Sequence, residues 1–289
     1  MSNPTALWNA AIGLVLSLGV ATGAAGQPAT PDAVEDTVRL APDGAVEIDD
    51  THKGTITVTT WERAQVAYRI APVSDEDSGL TSKVVVRRTD QSLSIDQDGA
   101  SWSIHIPGLL RISPSAGGNL AAHYRVTMPK TATLEVSDYA STIEVAGGEA
   151  NMEIDTHQGT VVVDSADGML DLSTHSGQIT ATGIRGGAAL DTHAGDASLS
   201  FADFSASSTA ETHSGTLRFF LPAGAGFALQ TDLDSADFTV DEAFGAPSTD
   251  STDGERWTFN GGGPTLTLDT PADAVTVRPL EARDTSGQR

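Results

Sequence analysis

Ile154-Asp-Thr-His-Gln-Gly-Thr-Val161, Leu172-Ser-Thr-His-Ser-Gly-Gln-Ile179, Leu190-Asp-Thr-His-Ala-Gly-Asp-Ala197 and Ala210-Glu-Thr-His-Ser-Gly-Thr-Leu217 share one local frame. Each runs apolar, polar, Thr, His, small or polar, Gly, polar, apolar. The histidines, His157, His175, His193 and His213, follow one another at steps of 18, 18 and 20 residues. A fixed period of this length is the mark of stacked, like units. Alternation on either side of each Thr-His-x-Gly predicts two short strands per unit, joined by a turn.

The frame extends beyond these four copies. Leu134-Glu-Val136-Ser-Asp-Tyr139-Ala-Ser-Thr-Ile143 sits one period upstream and places Tyr139 in the histidine slot. Thr51-His52-Lys-Gly54 is a further Thr-His-x-Gly near the start, and half-repeats such as Asp164–Leu170 and Thr182–Leu190 fill the intervals. One coil buries too few aliphatic side chains to offset the ordering of its backbone, so the coils must stack and share hydrogen bonds. Alternation then puts Ile154, Leu172 and Leu190 in one inward column, with Val161, Ile179 and Leu217 in a second and Val163, Leu199 and Phe219 in a third. Gly159, Gly177, Gly195 and Gly215 align at one corner, where a left-handed backbone is expected.

The 289 residues carry 16 basic and 39 acidic side chains, a net charge of −23. A balance this acidic excludes the basic footprint of nucleic-acid binding and a polybasic membrane contact. Only Lys53, Lys83 and Lys130 are lysines. A solvated acidic surface in a salt-rich setting and the preference of turns for Asp both account for this bias. With no cysteine, disulfides, thiolate metal sites and cysteine nucleophiles are excluded.

Residues 1–26 read as a signal peptide: an apolar run around Ile12 to Val20, then small residues before Gln27-Pro28. Its first residues contain no Lys or Arg. Residues 27–36 read as a linker, 37–280 as the β-solenoid domain, and 281–289 as a disordered tail. Short strands are expected at Val46–Ile48, Thr55–Val58, Val66–Ile70, Val84–Val86, Leu93–Ile95, Trp102–Ile106 and Tyr124–Val126. Pro72 to Thr81 and Pro107 to Asn119 read as loops.

Several segments resemble the bacterial "putative adhesin" domain of unknown function, related to the auto-transporter adhesin head (GIN) domains. Thr57-Val58-Thr-Thr-Trp61-Glu-Arg63 looks like that family's early strand and turn, with Thr60 in place of a glycine. Val126-Thr-Met-Pro129 followed by Leu134-Glu-Val136 looks like its entry into the repeats. Leu221-Pro-Ala-Gly-Ala-Gly-Phe227 and Gly261-Gly-Gly-Pro-Thr-Leu266 resemble its late segments. Thr270-Pro-Ala-Asp-Ala-Val275 departs from the pattern, having lost its Ser-Gly. The resemblance implies an all-β, right-handed single-stranded β-solenoid (β-helix) with short strands and Gly-rich turns, exposed in the cell envelope and without catalytic residues.

Chemistry centres on the histidines. Imidazoles stacked about 4.8 Å apart make His157, His175, His193 and His213 candidates for a shared Zn²⁺, with Asp155, Asp191 or Glu211 supplying oxygens. Tyr139 in the same slot argues for a structural column of rings instead. No Gly-x-Ser-x-Gly elbow supports a hydrolase, and neither a calcium nonapeptide nor an EF-hand loop is present. Asp232, Asp234 and Asp237 read as an acidic turn. Trp61, Trp102 and Trp257 suit core packing better than a sugar platform.

The expected protein is a non-enzymatic, secreted or periplasmic interaction module without a cofactor. Its expected partner is an envelope protein or glycan, with no nucleic acid and no membrane span after signal cleavage. Two alternatives remain open: a metal- or ligand-binding envelope stress component using the histidine face, and a carbohydrate-active β-helix enzyme.

Overall fold

A computed structural model describes residues 33–72, 83–98, 121–231, 238–249, 256–269 and 274–281. Residues 1–26, read as a signal peptide, the strand expected around Trp102, most of the two stretches read as loops, Asp232, Asp234, Asp237 and residues 282–289 lie outside them.

Seven strands come first: β1 (Val34–Arg39), β2 (Ala45–Thr51), β3 (Lys53–Trp61), β4 (Gln65–Pro72), β5 (Lys83–Arg88), β6 (Ser92–Asp98) and β7 (Ala121–Pro129). Strand β1 opens inside the segment read as linker. Two-strand coils follow: β8 (Thr133–Asp138) with β9 (Thr142–Ala146), β10 (Met152–Thr156) with β11 (Thr160–Asp164), and β12 (Leu170–Thr174) with β13 (Gln178–Ile184). The next are β14 (Ala188–Ala194) with β15 (Asp196–Phe201), and β16 (Ser208–Ser214) with β17 (Thr216–Leu221). The chain then forms β18 (Phe227–Thr231), β19 (Phe238–Val240), a 3-10 turn (Glu242–Phe244) and β20 (Ser248–Thr249). It closes with β21 (Arg256–Phe259), β22 (Thr265–Asp269) and β23 (Ala274–Pro279). No helix among the described residues is long and apolar enough to cross a membrane.

Among the described residues the strands build two long, mainly parallel sheets. Sheet A runs β1-β4-β7-β3-β9-β11-β13-β15-β17-β23-β19, and sheet B runs β20-β21-β18-β22-β16-β14-β12-β10-β8-β2-β6-β5. Each coil gives one strand to each sheet, so the fold is solenoid-like. The eighteen-residue frame is its register: Ile154 lies between Val136 and Leu172, and Val161 between Ile143 and Ile179. The three inward columns read from alternation are all buried.

Winding is sequential only from β8 to β17. Strands β2 and β3 form the coil directly beneath β8 and β9, while β6 and β7 lie on its far side. After β1, which lies at the edge of sheet A, the chain enters the stack with β2 and β3, builds outward through β4 and β5, and returns with β6 and β7. The other end repeats this device, with β22 and β23 on β16 and β17, and β18 and β19 beyond them. Phe201, Phe204, Phe227, Phe244 and Phe259 then close the core with edge-on and stacked rings. Such pairs add to the stabilisation from area burial alone.

Candidate functional site

The corner that carries Thr-His-x-Gly has a separate physical reason for each residue. The threonine points inward, and Thr156, Thr174, Thr192 and Thr212 are all buried. In the first two copies its hydroxyl accepts the N–H of the glycine three residues on, from Gly159 to Thr156 at 3.0 Å and from Gly177 to Thr174 at 2.9 Å. This is a side chain standing in for a backbone turn acceptor. In the last copy the Thr212 hydroxyl donates to the Ser214 carbonyl at 2.9 Å.

The glycine is needed for close approach, which corrects the expectation of a left-handed corner. Of the four aligned glycines only Gly215 has a positive φ, +112°. A Cβ on Gly177 would lie 2.2 Å from the Gly159 carbonyl oxygen, and one on Gly195 would lie 2.3 Å from that of Gly177. Each coil rests its backbone on the glycine beneath.

The histidine is the outward residue between them, and the column is longer than four. His52, Tyr139, His157, His175, His193 and His213 form one unbroken stack, with successive centroids 4.6–5.0 Å apart. The histidine planes are tilted from one another by 2–8°. Burial and the neighbouring Lys53 charge push the His52 imidazole below its ordinary value, partly opposed by Asp138.

This geometry does not fit the shared Zn²⁺. A ring-nitrogen lone pair lies in the ring plane, and a shared ion at 2.0–2.1 Å must lie in both planes. Planes this close to parallel do not meet near the rings. Asp155, Asp191 and Glu211 point out from sheet B beside the stack, and among the described residues no group of three or more His, Asp or Glu is gathered for a metal.

Beside the rings the glycine stripe leaves an open groove of about 510 Å³. Gln158, Ser176, Ala194 and Ser214, each following a histidine, line one side, and Thr160, Gln178 and Asp196 line the other. Gln158, Thr160 and Gln178 are exposed, and no basic residue lines the groove. The sequence carried a signal for this wall, since the residue after each histidine repeats with the period.

The outer face of sheet B holds carboxylates in register. Glu47, Glu135, Glu153 and Asp171 are successive lateral neighbours, and Asp49 is paired with Asp96. Arg87 binds Asp96. Burial, a hydrogen bond to Glu47, and the charges of Glu47, Asp96 and Glu135 push Asp49 up to about 8.

Unfolded, that carboxyl ionises near 3.8. The folded chain thus keeps a proton that the unfolded chain releases. The stabilisation is complete below pH 4, declines as pH rises, and is lost above pH 8. Asp49→Asn cannot ionise, so it should be more stable than the native protein above pH 8 by about 1–2 kcal/mol, a linkage value reduced for a half-exposed site. Melting curves of the two proteins should converge near pH 4. A gap independent of pH would show that ionisation is not its cause.

Trp61 donates its indole N–H to the Gln65 carbonyl at 2.7 Å with Arg63 over its ring, and Trp257 packs on the core beside Phe238.

A family model described as Toastrack DUF4097 matches residues 44–278. No curated protein matches the sequence. Three solved structures are similar at 10% identity over 86% of this chain. A putative cell adhesion protein from Clostridium sporogenes is covered over 99% of its length with a TM-score of 0.31. A putative adhesin from Bacteroides fragilis is covered over 97% with 0.33, and one from Parabacteroides distasonis over 97% with 0.31.

Proposed function

The chain belongs to the Toastrack DUF4097 family, and from that premise we propose that it is a non-enzymatic, adhesin-like interaction module of the cell envelope. The contact surface is the ring-and-groove corner, and the observation that carries this reading is its continuity. Six rings and the adjacent groove run along the stack without interruption. A surface repeated coil by coil suits an extended partner, an envelope protein or glycan, held by amides and hydroxyls more than by charge. In this reading residues 1–26 direct export, and the coils wind to the right, the hand that parallel crossovers favour.

A binding role is further supported by how the polar groups around the rings are used. The Thr156 and Thr174 hydroxyls close turns, and the Ser176 hydroxyl donates to the His157 carbonyl at 3.4 Å. The histidine faces stack on one another, which makes the column one continuous surface.

A glycan array probed with the tag-free chain, followed by mass analysis of the bound glycan, tests the reading. The expected result is retention of an intact glycan and at least a tenfold loss of binding in Gln158→Ala/Gln178→Ala with an unchanged melting temperature. Release of shortened products would replace it with the carbohydrate-active enzyme. Undiminished binding by the double variant would move the contact away from the corner.

A further inference from the structure

The outer face of sheet A carries a second feature, separate from the corner. Arg218 on β17 lies opposite Thr276 on β23, and Phe220 lies opposite Arg278. The two arginines therefore occupy diagonal corners of one block on adjacent parallel strands, with a hydroxyl and an aromatic ring at the other two corners. Between them is a hollow of about 60 Å³ lined by these four residues and Phe219. One water needs roughly 10–15 Å³ on a comparable measure, so the hollow takes a group of several heavy atoms.

The chain is mostly acidic, yet two arginines meet at this hollow, and like Arg39, Arg63, Arg125 and Arg256 they make no ion pair among the described residues. Acidic residues outnumber basic ones by 39 to 16, and Arg69, Arg87, Arg88 and Arg185 each hold a carboxylate. Among the described residues no carboxylate pairs with Arg218 or Arg278. Two acids lie nearby, each with one oxygen taking a backbone N–H. Asp196, diagonal to Arg218 on β15, accepts the Thr216 N–H at 2.8 Å, and Asp241, just beyond β19, accepts the Ala243 N–H at 2.9 Å. Two guanidinium groups flanking one hollow repel each other until an anion sits between them. Their planar forks match an oxyanion with paired hydrogen bonds.

We propose that Arg218 and Arg278, with the Thr276 hydroxyl, form a binding site for an oxyanion carried on a saccharide, its ring lying against Phe220. A sulfate ester and a uronate carboxylate share this chemistry. The site does not depend on the corner groove, because it lies on a sheet face and its selectivity is for charge.

Calorimetric titration of the full chain with a sulfated galactan oligosaccharide and, separately, with an oligogalacturonate tests the site at fixed ionic strength. Binding of at least one is expected, and the tighter of the two identifies the anion. Arg218→Gln and Arg278→Gln should each weaken it at least tenfold. Arg256→Gln, an exposed arginine on sheet B, should leave it unchanged. Melting temperatures of all variants should stay within about 2 °C of the native value, since these are surface changes. Binding of neither oligosaccharide, or an equal loss in Arg256→Gln, would overturn the proposal.

Discussion

Gly177→Val is expected to lower stability by about 4 kcal/mol or more, which for a domain of this size is roughly 8–16 °C in melting temperature. The new Cβ would stand 2.2 Å from the Gly159 carbonyl oxygen and 2.6 Å from the Thr174 hydroxyl. That carbonyl cannot swing aside freely, because it also accepts the Gln178 N–H at 3.2 Å and so belongs to the ladder between coils. Moving it separates two coils whose core residues Ile179 and Val161 are in lateral contact. The collision begins at Cβ, so Gly177→Ala should already show most of the loss. Ser176→Val, one residue earlier and exposed, should stay within about 0.5 kcal/mol of the native protein. Thermal melts of the three variants decide the matter: a tolerated alanine would mean that the coils do not approach as closely as the structure has them.

The glycine column shows what a sequence can and cannot disclose about such a fold. Its alignment was legible because parallel coils of equal length place equivalent residues side by side, and Tyr139 in the histidine slot announced that the column tolerates any stacking ring. The reason for glycine was not legible. A positive φ and a carbonyl at contact distance both demand a missing Cβ; of the four aligned glycines only Gly215 combines them, as Gly54 does in the first Thr-His-x-Gly.

The entry of the chain into the stack was equally hidden. Period and alternation say that β2 and β3 form a coil, but the neighbour of that coil is chosen by shape and not by sequence distance. Thr51 consequently meets Asp138, 87 residues away. The crowding around Asp49 has the same origin, since Asp96 and Glu135 arrive from strands remote in the chain. Arg218 and Arg278, brought to one hollow by the pairing of β17 with β23, left no local trace either.

Asp138 gives the second large effect. It sits where the other coils have the inward threonine of Thr-His-x-Gly, so Asp138-Tyr-Ala-Ser141 is the same turn in different residues. Its Oδ1 accepts the Thr51 and Ser141 hydroxyls, both at 2.6 Å. Its Oδ2 accepts the Ser141 N–H at 2.6 Å and the Thr156 hydroxyl at 3.1 Å. Two bonds to each oxygen use the whole acceptor capacity of a carboxylate. Asp138 thereby ties the coil of β2 and β3 to the coils of β8 and β10, across the place where the winding is not sequential. Asp138→Ala should cost about 3–5 kcal/mol, because it strands a buried backbone N–H and removes the shared acceptor of three hydroxyls. Asp138→Thr should recover part of this, since one hydroxyl can take the Ser141 N–H as Thr156 takes that of Gly159, but it cannot serve both neighbouring coils. The expected order in urea melts is therefore native, then threonine, then alanine. Equal stability of the threonine and native proteins would reduce Asp138 to a local turn former. The predicted gap between them measures how much of the junction a single carboxylate holds.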